Sequence, residues 1–178
     1  PVLGGRSADV MVLRRGDALA LLTPDGGAAQ ALPGIDYSRP IDEVTVTGTP
    51  EPLDGADAEL VRWVRGAGHT LVAADSFGGS LRVLEATVAY VKVRQQFGQL
   101  IGAFQAVKHQ VADLALLVEP CRGLYWYAAY AHDEGLPDAS AAAALAKAHL
   151  GDAYVQAARD AIELHGGIGY TWECELHV

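Results

Sequence analysis

The sequence predicts a mainly α chain, an antiparallel bundle of long helices preceded by part of a β domain. Three observations lead there. Apolar and small residues recur at alternating four- and three-residue spacing over most of residues 57–165, the period of helices with one buried face. Few breaks interrupt that pattern, so the helices are long and their connections short, which makes successive helices antiparallel neighbours. Residues 1–55 have a different texture, with short apolar runs, two-residue alternation and frequent Gly, Pro and Asp.

In chain order, the apolar runs Val10 to Leu13 and Ala18 to Leu22, separated by Arg14-Arg15-Gly16-Asp17, predict a β-hairpin. In "IDEVTVTGTP", Val44 and Val46 alternate with Glu43, Thr45 and Thr47, as in a half-buried strand. Turn residues at 24–27, 33–36 and 48–55 punctuate this region, which reads as an incomplete β domain. From Asp57 the residues Leu60, Val64, Ala67, Leu71, Ala74, Gly78, Leu81, Val88 and Val91 form one stripe, broken only by Glu85. That stripe predicts a helix of about 35 residues ending at Phe97-Gly98.

A second helix opens near Phe104 and repeats the pattern at Val107, Val111, Leu114, Val118, Cys121, Tyr125 and Ala128, with a kink at Pro120. It stops at Glu134-Gly135-Leu136-Pro137. A third runs from about Asp138 to His165, with Ala144, Ala148, Gly151, Val155, Ala158 and Ile162 on one face, small enough for a neighbouring backbone to approach closely. Residues 1–55 and 56–178 are thus expected to belong to two domains, neither of them whole, with no internal repeat.

At 178 residues the chain can hold one ordinary domain or parts of two. Lys plus Arg number 13 against 22 Asp plus Glu, a formal net charge of -9 that argues against nucleic acid and against an anionic membrane surface as partners. No apolar run approaches the roughly 20 residues of a membrane span, and no signal-like segment opens the chain, so a soluble protein is expected. Cys121 and Cys174 form no disulfide framework or CxxC spacing, which favours a reducing, cytoplasmic compartment. The start at Pro1 without Met reads as a cut or processed piece.

Two stretches carry chemistry. In "VRQQFGQLIGAFQAVKH", residues 93–109, Arg94 is placed in the last turn of the first helix, where the macrodipole favours a cation. Its guanidinium and the Gln105 amide are equally suited to a phosphate, and Phe97 could pack on a flat ring or plug a helix end. In "ELHGGIGYTWE", residues 163–173, three glycines fall within four residues, more than one helix stop requires. Successive glycine N–H groups can cradle a phosphate or let a cofactor approach the backbone. The glycines follow a helix, whereas a dinucleotide-fold fingerprint sits between a strand and a helix.

Glu163, His165, Glu173, Cys174 and His177 are close in sequence, and Glu173 with His177 have helical i, i+4 spacing. No Glu-x-x-His or His-Glu-x-x-His pair occurs, however, and a di-iron bundle needs ligands on four helices, so no metal is expected. His109, His132 and His149 are expected at the surface or an interface.

Taken together, R-x-x-F-G-x-x-I-x-x-F-Q at 94–105 and H-G-G-x-G-[FY] at 165–170 resemble the acyl-CoA dehydrogenase family. The similarity covers 57–178 and extends less distinctly into "GGRSADVMVL". The resemblance implies a flavoenzyme with a helical N-terminal domain, a middle β-barrel and a C-terminal helical bundle. On that plan the chain begins inside the middle domain and ends inside the fourth C-terminal helix. FAD would lie between the middle and C-terminal domains, its pyrophosphate and adenosine reaching the neighbouring subunit.

Carried over residue by residue, Arg94 matches the family's arginine on the FAD pyrophosphate, Phe97 the phenylalanine near the adenine end, and Gln105 the glutamine on the same portion. Gly166 and Gly167 match glycines whose backbone meets that half of the cofactor, and Glu163 stands where the family usually has a glutamine near the phosphates. The implied reaction is α,β-dehydrogenation of an acyl-CoA thioester, with a carboxylate taking the α-proton and the flavin taking hydride. Implied partners are the acyl-CoA, a like or unlike subunit in a dimer or tetramer, and an electron-transferring flavoprotein.

The family places its glutamate base at one of two positions: one is Gly68 here, the other lies past Val178, and Glu173 comes too early, its expected role being a charge at a helix N-terminus. His69 stands where many relatives use an arginine toward CoA. A carboxylate at Glu163 repels phosphates unless a cation intervenes. Glu163 and Gly68 therefore raise an alternative, a non-catalytic structural subunit of a hetero-oligomeric bacterial member.

Overall fold

The computed structural model of the chain describes residues 1–16, 18–34, 39–174 and 176, with Pro24 lacking a described side chain. Asp17, Asp36 and His177, weighed above, lie outside the described residues. The mainly α architecture stands as expected, with the β part first. Its strands are β1 (Val2–Leu3), β2 (Met11–Arg15), β3 (Ala18–Leu22), β4 (Gly27–Ala31), β5 (Ile41–Val46) and β6 (Glu51–Pro52). They pair antiparallel into two three-stranded sheets, ordered β1-β5-β4 and β2-β3-β6.

The expected hairpin is β2–β3, in register from Met11 opposite Leu22 to Arg15 opposite Ala18. In β5 the alternation holds, but Asp42 is the fully buried residue, Val44 is half-buried and Val46 is 43% exposed. A buried carboxylate persists only when paired. Asp42 Oδ2 accepts the Arg6 backbone N–H at 2.9 Å, and Oδ1 accepts Arg6 Nε at 2.7 Å. That N–H first, and then the guanidinium, hold the Asp42 carboxyl below the usual carboxylate range against the opposing effect of burial.

The chain divides into two compact units, residues 1–64 and the helical part from Arg65 onward. The remaining elements are α1 (Ala58–Val91), β7 (Gln95–Gln96), β8 (Gln99–Leu100), α2 (Gln105–Val118), α3 (Cys121–Asp133) and α4 (Ala139–His165). Asp57 caps the start of α1, its Oδ1 accepting the N–H groups of Glu59 and Leu60 at 3.0 and 2.8 Å. The helix ends at Val91 and not at Phe97-Gly98, because the following residues turn into the short β7–β8 hairpin. Pro120 does more than kink the second helix: it separates α2 from α3.

The α2–α3 stripe packs as read, with Leu114, Val118, Cys121 and Ala128 buried against Ala73, Phe77 and Leu84 of α1 and Ala146, Leu150 and Ala157 of α4. Burial pushes the Cys121 thiol pKa up. The other two stripes require correction. In α1 the buried face carries Thr70, Ala73, Ser76, Phe77, Ser80, Leu84 and Thr87, whereas Leu71 is 70% exposed and Val64 is also exposed. Three of the hydroxyls are satisfied within the helix, Thr70 donating to Gly66 O at 3.0 Å, Ser80 to Ser76 O and Thr87 to Val83 O at 2.8 Å each. Polar residue types thus occupy the face that an apolar count cannot find.

In α4 the buried line is Ala143, Ala146, Leu150, Ala153, Ala157, Ala161 and Leu164, while Ala144, Ala148 and Val155 face solvent. Alanine stands on both the buried and the exposed faces of α4, so hydropathy ranks those faces poorly. Close approach is real, but it is set elsewhere: a Cβ added at Gly79 of α1 would sit 2.5 Å from the Tyr154 ring of α4. Among the described residues no helix is long and apolar enough to cross a membrane.

Candidate functional site

The first chemical stretch is organised by the end of α1. The Tyr90 carbonyl accepts the N–H groups of Val93 and Arg94 at 3.1 and 2.9 Å, closing the helix and releasing the chain. Arg94 is therefore exposed three residues past the last helical residue, not within the last turn. Its carbonyl accepts the Ile101 N–H at 2.8 Å, and Gln95 pairs with Leu100 and Gln96 with Gln99. The two-residue turn between them has φ 54° at Phe97 and φ 80° at Gly98, the left-handed pair of a type I′ hairpin.

A phenylalanine in that region is costly, because its Cβ crowds the backbone. The ring is 92% exposed and meets Phe104 edge-on at 6.2 Å. After a short 3-10 turn, Ile101–Ala103, whose Gly102 lies against the Val91 carbonyl, Phe104 enters α2 in an extended conformation. No side chain caps α2, and Gln105, its first residue, is exposed. The leading N–H groups carry the positive end of the helix dipole.

The second stretch begins where α4 ends. His165 Nδ1 lies 2.8 Å from Ala161 O, an acceptor, so that nitrogen carries the proton. The imidazole stacks on the Tyr90 ring at 4.2 Å and 19°, and Tyr90 Oη donates to His165 O at 3.3 Å. The Arg94 hairpin and the glycine turn thus meet at Tyr90. Arg94 and Phe97 belong to that hairpin, Gln105 opens α2 after it, and Gly166 and Gly167 follow His165.

The three glycines have different reasons to be there. Gly166 has φ 64° and ends the helix, its N–H donating to Glu163 O. Gly169 is buried, and a Cβ there would overlap the Ile162 carbonyl. Gly167 has neither a positive φ nor any atom within 4 Å of an added Cβ.

Glu163 lies in the last turn of α4, three residues before Gly166. It is exposed and borders a cavity of about 170 Å³ lined by Gln110, Asp113, Asp160 and Leu164, so carboxylates are its neighbours. Glu173 is exposed, and the Thr171 hydroxyl beside it, followed by its own backbone N–H, holds its carboxyl below the usual range. A base for a weakly acidic C–H needs the opposite shift. Gly68 is exposed on α1 with open space around it. Of the histidines, His109 and His149 are exposed, while His132 is half-buried with Nδ1 against Gly66. Among the described residues no group of three or more His, Cys, Asp or Glu is placed to hold a metal ion.

With this geometry in place, the sequence model of the family described as "Acyl-CoA dehydrogenase, C-terminal domain" matches residues 61–177. The chain belongs to the acyl-CoA dehydrogenase family. It is similar to the acyl-CoA dehydrogenase IpdE2 of Mycobacterium tuberculosis, 42% identical over 179 residues that cover 99% of this chain and 51% of that protein. It is also similar to glutaryl-coenzyme A dehydrogenase solved in its glutaryl-CoA complex, with a TM-score of 0.86 and 26% identity over 98% of this chain and 49% of that one. PigA, solved with FAD and proline, gives a TM-score of 0.82 and 27% identity over 98% of this chain and 50% of that one.

The chain spans between about a quarter and about half the length of the curated relatives that match nearly all of it. Acyl-CoA dehydrogenases are flavoprotein oxidoreductases of lipid metabolism. The helical bundle matched here is their C-terminal domain. The residue that the sequence did not mark is Tyr90, and its signal was available: an aromatic four residues before Arg94, in the last turn of a long helix. What the sequence lacks is any sign that its partner is His165.

Proposed function

We propose that this chain is part of an FAD-dependent acyl-CoA dehydrogenase, or of one of its subunits, that oxidises the α,β-bond of an acyl-CoA thioester and passes electrons to an electron-transferring flavoprotein in the cytoplasm. On this proposal residues 1–55 belong to the middle β domain and 56–178 to the C-terminal bundle. One observation carries it. The exposed Arg94 hairpin and a glycine turn are joined through Tyr90, and that turn contains a glycine, Gly167, that nothing among the described residues requires.

The residues present fit the pyrophosphate and adenosine half of FAD. Arg94 offers a planar set of donors, and α2 presents its N-terminus without a side-chain cap. Phe97 holds a bare ring outward for a flat heterocycle, the Gln105 amide lies at the start of α2, and Gly166-Gly167 leave room for a ligand to reach the backbone. When bound, the flavin supplies the hydride acceptor. The chain's own part is to anchor the charged and adenine-bearing end, across to a like or unlike neighbouring subunit. Glu163 faces the same ligand with the wrong charge and weakens its hold.

A second reading, a non-catalytic structural subunit, is favoured by Gly68, which is open and carries no acid, and by Glu173, whose lowered pKa suits a permanent charge and not a base. The test is to purify the full-length protein alone and together with the product of its neighbouring gene, and to record the visible flavin spectrum of each. Flavin on the lone protein removes the silent-subunit reading; flavin on neither preparation removes both readings that involve FAD. Arg94→Ala is expected to lower FAD retention about tenfold or more, as loss of a charge-assisted phosphate contact does.

A further inference from the structure

We infer that the stacked pair Tyr90 and His165 is a positioning device, setting the distance between the two arms that grip the cofactor and thereby its affinity. The inference rests on the FAD reading of this site. Tyr90 acts on one arm through its backbone, since its carbonyl takes the N–H groups of Val93 and Arg94 and so decides where the hairpin leaves α1. It acts on the other through its side chain, since its ring stacks on His165 and its hydroxyl donates to the His165 carbonyl, one residue before Gly166.

His165 completes the clamp. The contact of Nδ1 with Ala161 O fixes the tilt of the imidazole on its own helix, so the stack transmits the position of α4 to α1. Neither residue belongs to the buried core cluster, and both are half-buried at the end of the helical unit. The hairpin beyond Tyr90 is short and exposed along its whole length. Two arms held at a set spacing present their contacts together, which removes the ordering cost that separate arms would incur on binding.

The measurement is the FAD dissociation constant of the full-length protein, or of its complex, by titration of the flavin-stripped form, alongside the melting temperature of that form. Tyr90→Leu, which keeps apolar bulk but loses the stack and the hydroxyl, is expected to weaken FAD binding roughly three- to tenfold. His165→Leu, which breaks the same stack from the other helix, is expected to match it. His165→Phe restores an aromatic face and is expected to return within about twofold of the parent. Val83→Ala serves as the stability control, because Val83 is a buried α1 residue; it should lower the melting temperature without moving the dissociation constant.

Unchanged affinity in both leucine variants overturns the positioning role, and so does a Val83→Ala protein that weakens FAD as much as they do. A parent protein that takes up no FAD, alone or with its partner, overturns the reading of the site and this inference with it. The two failures are therefore distinct.

Discussion

The hairpin at 95–100 and the turn at 166–170 are both short, exposed glycine-containing bends at the same end of the helical unit, yet their backbones are built on different terms. The hairpin places a phenylalanine where glycine or asparagine would be easier, at φ 54°, and leaves its ring 92% exposed. The turn does the reverse and supplies a glycine at 167 where any small residue would fit. Each departs from what its own packing asks for, in opposite directions. On the proposed function, a side chain held out at a backbone cost and a side chain left off without need are both accounted for by one ligand.

Substitutions within the two bends test that contrast. The largest effect on stability is expected from Gly169→Ala, because the new Cβ meets the Ile162 carbonyl and a backbone has nowhere to go. A loss of about 2–3 kcal/mol in thermal or denaturant unfolding is expected. Should Gly169→Ala prove neutral, the packing account of that glycine is wrong. Gly167→Ala, two residues away, is expected to leave stability within about 0.5 kcal/mol while weakening FAD binding severalfold in a titration. Equal losses from the two variants would erase the distinction between them.

Phe97→Asn builds the Asn-Gly turn that a type I′ hairpin prefers. It should raise stability by up to about 1 kcal/mol and at the same time lower FAD affinity. If affinity held, Phe97 would be a plug and not a ligand contact. Smallest is Glu163→Gln, which removes a charge from an already acidic neighbourhood and is expected to tighten FAD by a fewfold, more at low salt than at high. Salt-independent affinity in both forms would show that Glu163 does not face the phosphates.

Much of the fold was legible because local rules and tertiary packing agreed. The β2–β3 hairpin, the α2–α3 stripe and the stop at Gly135 follow from two apolar runs either side of a polar turn, a four-three apolar spacing and a glycine that takes φ 62° in the structure. The same legibility brought Arg94, Phe97, Gln105, Gly166 and Gly167 forward as candidates, since guanidinium, ring, amide and bare backbone are chemically distinctive wherever they stand. Glu163 came forward through the resemblance, which puts a glutamine there, and the structure adds only which acids it neighbours.

Three matters were decided by tertiary structure alone. The buried face of α1 carries Thr70, Ser80 and Thr87, whose hydroxyls donate to carbonyls of their own helix, so their polarity misleads. The buried face of α4 is chosen among alanines, which are nearly equivalent in hydropathy and differ only in what approaches them. The joining of the two bends rests on Tyr90 and His165, separated by 75 residues, and a contact between residues so far apart leaves no mark in either neighbourhood. The sequence determined which elements and which chemical groups this protein has, because those depend on residue type and short-range spacing. The tertiary structure decided which faces meet and which glycines are free, because those depend on what lies across the gap.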